Sequence, residues 1–390
     1  MKTARLKKDA ERRVFAGHLW IFSNDIDTQH SPLKQYTAGN LVVIETAFGK
    51  SIGIGYINPQ CLLCIRVLTL NPRATINTDF FIEKIKHAQS KRATLFQDQY
   101  ARMVFGESDR LPGIVIDQFH DIIVMQINTA GMEALKPSLI EAVQSVFSPK
   151  TIVLKCDSTE RQNEGLQAYT EVVGEPAPDY LTVVENNCVF RAPLLTGQKT
   201  GWFYDHRFNR ARIASYCKDK KVLDVFSYCG AFSIPAAKNG AKSVTAIDRS
   251  PLAIEALTQN ATLNEVSAIT ALCGDALDIM QSLAQSSEQF DVIILDPPAL
   301  IKRKKDVPAG EKMYQKLNEA ALALLSPAGI LFSASCSMHL SHADLLNCIR
   351  KAGLIAKRDI SVLEQNHQGA DHPIHPAMPE TNYLKGYIVG

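Results

Sequence analysis

Apolar and polar positions are spaced in two different ways along this chain. From Lys220 onward short apolar runs alternate with amphipathic stretches. Residues 222–226, 244–248, 269–273, 292–295, 330–335, 354–360 and 383–389 read as strands. Helices fall between them, one at 231–239 ending at Gly240, and another opened by Ser250-Pro251 as N-cap and first helical residue. Val292-Ile-Ile-Leu295 is short and rich in β-branched residues, the pattern of a strand covered on both faces. Alternating strands and helices predict a doubly wound, mostly parallel α/β sheet with its ligand at the carboxyl ends of the strands.

The first part of the chain lacks that rhythm. Residues 7–15 read as a short amphipathic helix and 17–24 as a strand with Trp20 and Phe22 two apart. Further strands at 39–45, 51–56 and 61–68 are broken by glycine and by Asn58-Pro59, giving a β-rich module over residues 1–72. After Asn71-Pro72 a helix at 80–97, strands at 114–117 and 121–128, a helix at 132–146 and strands at 151–155 and 182–190 make an α+β region, 73–190, with no catalytic constellation. The third expected domain is 191–390.

Composition adds little until it is resolved along the chain. At 46% hydrophobic and 21% charged, the 390 residues have the composition of a soluble protein with a sizeable core, and no 18-residue apolar run predicts a membrane span. The basic start, Met1 to Lys8, has no apolar run behind it, so the expected compartment is the cytoplasm. The odd number of cysteines, nine, shows no disulfide framework, and Cys61-x-x-Cys64 lies in a strand-like run without a second pair to complete a zinc site. His339-x-x-His342 and His372-x-x-His375 lack a third ligand, and no metal is expected. Net charge is +2, but residues 1–73 carry ten Lys/Arg against five Asp/Glu. Lys7, Lys8, Arg12 and Arg13 in that module are candidate contacts to a polyanion.

Candidate chemistry gathers at strand ends. After the first strand of the 191–390 region runs Asp224-Val-Phe-Ser-Tyr-Cys-Gly-Ala231, with one glycine, Gly230, where a dinucleotide site has three. Asp248 ends the next strand, 18 residues beyond Gly230, where an acidic residue accepts ribose hydroxyls, and Asp275 follows the third strand, before Ala276. Acidic groups without a phosphate cradle favour S-adenosylmethionine over a nicotinamide cofactor. Asp224, Phe226, Tyr228, Gly230, Asp248, Asp275, Ala276, Asp296 and Pro297 are its candidate contacts.

Asp296-Pro297-Pro298 stops its strand because each proline lacks an N–H and fixes its φ. Cys336 follows the fifth strand at the same sheet edge, between Ser335 and Ser337. Pyrimidine C5 is a poor nucleophile. A thiolate added to C6 makes C5 enamine-like and able to accept a methyl group, and a carboxylate at the amine and N3 of cytosine assists the addition. Cys336 and Asp296 are therefore the candidate catalytic pair.

At these residues the sequence resembles the 23S rRNA large-subunit methyltransferase I family, which forms 5-methylcytosine. The resemblance runs through residues 7–24, Asn58-Pro59, Gly106-Glu-Ser-Asp-Arg-Leu-Pro-Gly113, Gln198-Lys-Thr-Gly201, Asp205-x-Arg207, Asp296-Pro297-Pro298, Ser335-Cys336-Ser337, Asp371-His-Pro373 and Pro379-Glu-x-x-Tyr-Leu-Lys-Gly386. It implies an N-terminal RNA-binding PUA domain, a central α+β domain and a Rossmann-like class I methyltransferase domain with a seven-stranded, mostly parallel sheet. It also implies Cys336 as nucleophile and Gln198, Lys199, Thr200 and Gly201 around the methyl donor. Ala299-Leu300 stands where some members have Lys-Phe, and Met338-His339 where a glycine is expected. Lys302 and Arg303, in a basic run beyond Asp296, are candidate RNA-phosphate contacts. The expected partner is large-subunit rRNA, and exposed strand edges leave a homodimer open. Two alternatives are methylation of an exocyclic base amine, against which the missing aromatic at Leu300 counts, and a non-catalytic RNA-binding assembly factor. A nicotinamide-dependent oxidoreductase ranks last.

Overall fold

The computed structural model describes residues 1–197 and 199–390, and the chain divides into two units made of interleaved segments. The first comprises Met1–Asp179, Leu194–Trp202 and Ala370–Thr381; the second Tyr180–Pro193, Phe203–Gly369 and Asn382–Gly390.

In the first unit β1 (Lys2–Arg5), α1 (Glu11–Phe15), β2 (Trp20–Phe22), β3 (Asn40–Glu45), β4 (Ser51–Ile57) and β5 (Leu63–Thr69) form a sheet in the order β1-β3-β4-β5-β2. β1, parallel to β3, has polar residues at three of its four positions and gave no hydrophobic signal. The helix expected from residue 7 starts only at Glu11, because Asp9 adopts a left-handed φ of 69° that interrupts it. Ile21 enters the core, while its neighbours Trp20 and Phe22 lie half-buried on the other face.

α2 (Thr78–Ala93) is capped by Asn77, whose side chain accepts from the Phe80 N–H at 3.1 Å. It packs with β6 (Tyr100–Phe105), β7 (Ile114–Phe119), β8 (Ile122–Ile127), α3 (Ala130–Ala134), α4 (Lys136–Phe147), β9 (Thr151–Cys156), α5 (Thr159–Asn163) and β10 (Tyr169–Gly174), whose strands run β10-β9-β8-β7-β6. The single helix expected at 132–146 is two: the ladder breaks at Leu135, with Pro137 in the first turn of α4. Glu164 ties the two sheets together. Its carboxylate accepts from Arg66 at 2.6 Å and from Asn58 at 2.8 Å. The motif residues Asp109 and Asp371 are likewise structural: Asp109 holds Arg92 in a buried bidentate pair at 2.7 and 2.8 Å, and Asp371 accepts from the Arg102 N–H at 3.1 Å.

The second unit opens with a hairpin where one strand was expected. β11 (Tyr180–Glu185) and β12 (Cys188–Pro193) are joined by Asn186 and Asn187, both left-handed at φ 51° and 59°, the conformations a tight two-residue hairpin turn requires. Then come α6 (Arg207–Ala214), β13 (Lys221–Val225), α7 (Ser233–Lys238), β14 (Ser243–Asp248), α8 (Pro251–Leu263), β15 (Ile269–Cys273), α9 (Ala276–Gln285), β16 (Phe290–Leu295), α10 (Val307–Leu324), β17 (Leu325–Ser335), α11 (His342–Ile355), β18 (Val362–His367) and β19 (Lys385–Val389). The strand expected at 354–360 is corrected: Leu354 and Ile355 complete α11, both more than half exposed, and the edge strand starts at Val362.

The sheet order is β15-β14-β13-β16-β17-β19-β18, parallel except for β19, which runs antiparallel to both neighbours. Side chains alternate between two buried faces. Leu223, Val225, Ile293 and Leu295 pack on one side with Leu331 and Tyr314, whereas Val222, Val292 and Ile294 pack on the other with Phe232 and Phe332. This is the seven-stranded, mostly parallel Rossmann-like sheet the pattern and the resemblance predicted. Edge strand β12 is held by α8: Asn264 and Asn260, one turn apart, bond the backbones of Val189 and Arg191 through both their amide groups.

Candidate active site

The carboxyl ends of β13, β14, β16 and β17 share one edge of the sheet, and the polar residues found there are the ones an amphipathic pattern cannot explain. Beyond β13 the backbone turns sharply, with Phe226, Tyr228 and Gly230 all left-handed at φ 67°, 49° and 87°. For two bulky aromatics that conformation costs about 1–3 kcal/mol each, and such strain gathers at functional sites. Loop N–H groups are used internally: Ser227 donates to the Ile247 carbonyl, Tyr228 to Asp248 Oδ2 and Gly230 to the Ser227 carbonyl, each at 2.9 Å. At Gly230, whose φ of 87° favours glycine, a Cβ would stand a tight 3.1 Å from both Ile234 and Leu257.

Asp224, 1% exposed, receives the Ser233 hydroxyl at 2.5 Å on Oδ2, while its buried Oδ1 and the buried Ser227 Oγ have no hydrogen-bond partner among the described residues. Burial pushes the Asp224 carboxyl up to about 7; the Ser233 hydroxyl opposes the rise and the nearby charge of Asp296 adds to it. Asp248 is half-buried and also accepts from the Ser250 N–H at 2.9 Å. Asp275 is exposed and caps α9, accepting from Leu277 N at 3.0 Å, and Ala276 behind it is buried.

Asp296 follows β16 with its side chain 25% exposed, and its Oδ1 lies 3.2 Å from His206 Nε2. His206 is 4% exposed, with Phe232 and Phe332 edge-on to it at 5.5 and 6.1 Å, and its Nδ1 is 3.0 Å from Asn209 Nδ2. Burial works against the imidazolium, but the charge of Asp296 and its hydrogen bond prevail and hold the His206 pKa above its ordinary value. Pro297 is buried, and Leu300 packs partly against the core.

Cys336 comes just past β17, the parallel neighbour of β16 in which Ser333 pairs with Leu295. Ser335 and Ser337 are fully buried and Cys336 is not. Their hydroxyls form a small network: Ser335 Oγ donates to Tyr314 Oη at 2.8 Å, Tyr314 Oη lies 3.0 Å from Ser337 Oγ, and the Ile301 N–H donates to Ser337 Oγ at 3.1 Å. That last bond ties the loop carrying Asp296 to the loop carrying Cys336. Lys385, paired with Ser335 across β17 and β19, is 2% exposed and donates to the Ser337 and Tyr383 carbonyls, each at 2.7 Å.

A PUA-like domain model matches residues 4–70, and the model of conserved hypothetical protein 95 matches residues 206–332. The ribosomal RNA large subunit methyltransferase I of Tolumonas auensis is 36% identical over 394 residues, covering 99% of this chain and 98% of the relative. That of Aliivibrio fischeri is 34% identical over 98% of this chain and 97% of the relative. The chain belongs to this family. Among solved structures, SMU.776, a methyltransferase complexed with S-adenosylhomocysteine, superposes with a TM-score of 0.86 at 20% identity, covering 100% of both chains. A methyltransferase from Streptococcus mutans gives 0.84 at the same identity and coverage; at that identity the likeness concerns the fold.

As a member of the ribosomal RNA large subunit methyltransferase I family, the protein is an S-adenosylmethionine-dependent methyltransferase. The residues present fit that donor. Carboxylates without a row of spare N–H groups suit a ligand that carries hydroxyl donors and positive charge and no phosphate, and the orphaned Asp224 Oδ1 is an acceptor with no internal donor.

The second unit thus gathers Asp224, Phe226, Tyr228, Gly230, Asp248, Asp275, Ala276, Asp296, Pro297 and Cys336 at one sheet edge, with exposed Lys302 and Arg303 a few residues beyond Asp296. Lys199, Thr200 and Gly201 belong to the first unit, and Gln198 lies outside the described residues. Lys7, Lys8, Arg12 and Arg13 are exposed on the first unit; Arg12 pairs with Asp9 at 2.8 Å and Arg13 with Asp25 at 3.3 Å. Sequence reasoning passed over His206, Tyr314 and Lys385. The motifs quoted around Asp205 and Gly386 contained the first and the last, while Tyr314 had only its place in a helix. Among the described residues no three His, Cys, Asp or Glu side chains are grouped as metal ligands, and no helix is long and apolar enough to cross a membrane.

Proposed function

We propose that the protein forms 5-methylcytosine in large-subunit ribosomal RNA, with Cys336 adding to C6 of a cytidine flipped out of its helix and Asp296 holding the base. The observation that carries this reading is the pair of hydrogen-bonded loops at the ends of β16 and β17, one bearing Asp296 and the other a Cys336 less buried than its neighbours. The relatives' designation as ribosomal RNA methyltransferases supports the RNA substrate.

His206 engages Asp296 Oδ1 and so presents Oδ2 to the base. Ionised, Asp296 accepts from the exocyclic amine; protonated, it donates to N3, which draws electrons from the ring and opens C6 to addition. The Sγ–C6 bond then forms, the C5–C6 double bond supplies the electron pair that makes C5 nucleophilic, and loss of the C5 proton after methylation expels the thiolate. When bound, S-adenosylmethionine supplies an electrophilic methyl group. Asp224, Phe226, Tyr228, Gly230, Asp248, Asp275, Ala276 and Pro297 are the proposed residues around it; for Gln198, Lys199, Thr200 and Gly201 a donor-binding role is proposed from the resemblance alone. Lys7, Lys8, Arg12 and Arg13 of the PUA-like domain, with Lys302 and Arg303, are proposed to hold RNA phosphates.

Nucleoside mass spectrometry of unmodified large-subunit rRNA incubated with S-adenosylmethionine and either wild type or Cys336→Ala tests the reading. New 5-methylcytidine from wild type and none from the variant is expected. A methylated amine, or an equally active variant, overturns the cysteine adduct.

A further inference from the structure

Lys385 is an unusual residue to find inside a protein. It is 2% exposed, and among the described residues no carboxylate is paired with it, although lysine is almost never buried without a charge partner. Its ammonium is satisfied by backbone oxygens at two places: the Ser337 carbonyl, one residue past Cys336, and the Tyr383 carbonyl on its own segment, each at 2.7 Å. The antiparallel register places Lys385 opposite Ser335, one residue before Cys336. The ammonium therefore anchors the short turn from Ser335 to Ser337 and brings a positive charge beside the thiol. We propose that Lys385 is the positioning residue of the thiol: it fixes the turn that presents Cys336 and stabilises the Cys336 thiolate by its charge.

Burial lowers the Lys385 pKa to about 8, and the neighbouring Cys336 works in the opposite direction, the coupling expected of an ammonium beside a group that becomes an anion. A thiolate next to a lysine is favoured over the thiol, whose ordinary pKa is about 8.5. Asp296, on the loop joined to the Cys336 turn, is paired with His206 at 3.2 Å, and the described titratable groups packed on Lys385 are not carboxylates. Tyr314 of α10 is neutral, its hydroxyl pushed up to about 12 by burial and committed to Ser335 and Ser337. His342, the first residue of α11, is held below its ordinary pKa by burial and then by the Lys385 charge. His367 of β18 pairs with Lys385 across the strands. With no carboxylate to neutralise the lysine, its field acts on the cysteine.

The proposal rests on the reading of Cys336 as a nucleophile, and its test needs neither RNA nor turnover. Alkylation by iodoacetamide is followed residue by residue with mass spectrometry from pH 5.5 to 9.5. Exposed Cys273 serves as the reference within the same molecule. In wild type the Cys336 rate is expected to rise at lower pH than that of Cys273; a Cys336 profile at or above that of Cys273 overturns the proposal without any variant. Lys385→Met should cut the Cys336 rate at pH 7 by about tenfold, the change in thiolate that follows from one pH unit, with Lys385→Arg restoring part of it. Equal Cys336 profiles in wild type and Lys385→Met overturn the proposal. Thermal melts and S-adenosylmethionine calorimetry on both variants establish that they are folded. If Cys336→Ala still forms 5-methylcytidine, the nucleophile reading fails while the alkylation profile still decides whether Lys385 governs the thiol.

Discussion

Asp224→Asn should make the second unit more stable at neutral pH and remove a pH dependence that the wild type carries. The wild-type carboxyl has an ordinary value of 3.8 when unfolded and is raised to about 7 by burial in the native state. For a carboxyl shifted upward, the native state holds its proton more tightly than the unfolded chain. Stability is therefore fully present below about pH 4, falls as pH rises toward about 7, and is level beyond. At ~1.36 kcal/mol per pH unit the whole fall is roughly 4 kcal/mol. Asparagine keeps the shape, gives the Ser233 hydroxyl an acceptor and never ionises, so the variant should gain on the wild type by up to that amount between about pH 4 and 7. Equilibrium urea unfolding at half-unit pH steps measures it. Both tryptophans, Trp20 and Trp202, lie in the first unit, so circular dichroism is the better signal. Taking the difference between variant and wild type at each pH cancels every other titrating group. A difference that stays flat across that range would refute the argument. S-adenosylmethionine adds a further check, because a cation placed near Asp224 favours the ionised form, lowers the native pKa and should make this destabilisation smaller and level off at a lower pH.

Glu164→Ala leaves Arg66 without its buried carboxylate and Asn58 with only the residue-164 carbonyl, and should destabilise the first unit by about 3 kcal/mol, read by tryptophan fluorescence in urea; a loss below ~1 kcal/mol would contradict the role given to Glu164. The double variant Lys302→Ala/Arg303→Ala should weaken RNA binding by a similar factor for unrelated sequences and reduce the magnitude of the slope of log affinity against log salt by about one to two, measured by filter binding at several salt concentrations. An unchanged slope would remove these two residues from the phosphate contacts.

Particular residues mark the boundary between what could be read from the chain and what could not. Ser250-Pro251 announced α8 because capping is chemistry confined to one turn, and the structure has the Ser250 hydroxyl accepting from Ala253 N. Strands β13, β14, β16 and β17 were legible for a similar reason: each carries apolar residues buried on both faces, so hydrophobicity alone marks it. β1 was invisible, since its ladder with β3 uses backbone groups that every residue has. The break between α3 and α4 and the left-handed Asp9 are likewise decided by local backbone geometry rather than by hydrophobic period.

The candidate site divides in the same way. Asp224, Asp248, Asp296 and Cys336 could be singled out as candidates from sequence because each is a polar or reactive residue at the end of a recognisable strand, where topology alone directs it to the sheet edge. Their partners were not. His206 lies 90 residues before Asp296, and Tyr314 and Lys385 reach the Cys336 turn from a helix and an antiparallel strand. The sheet type and the family follow from a pattern written along the chain. The state of each reactive group, with Asp224 inclined to keep its proton, Asp296 held by an imidazole and Cys336 set beside a buried ammonium, is a matter of burial and of charges distant in sequence, and only the folded arrangement decides it.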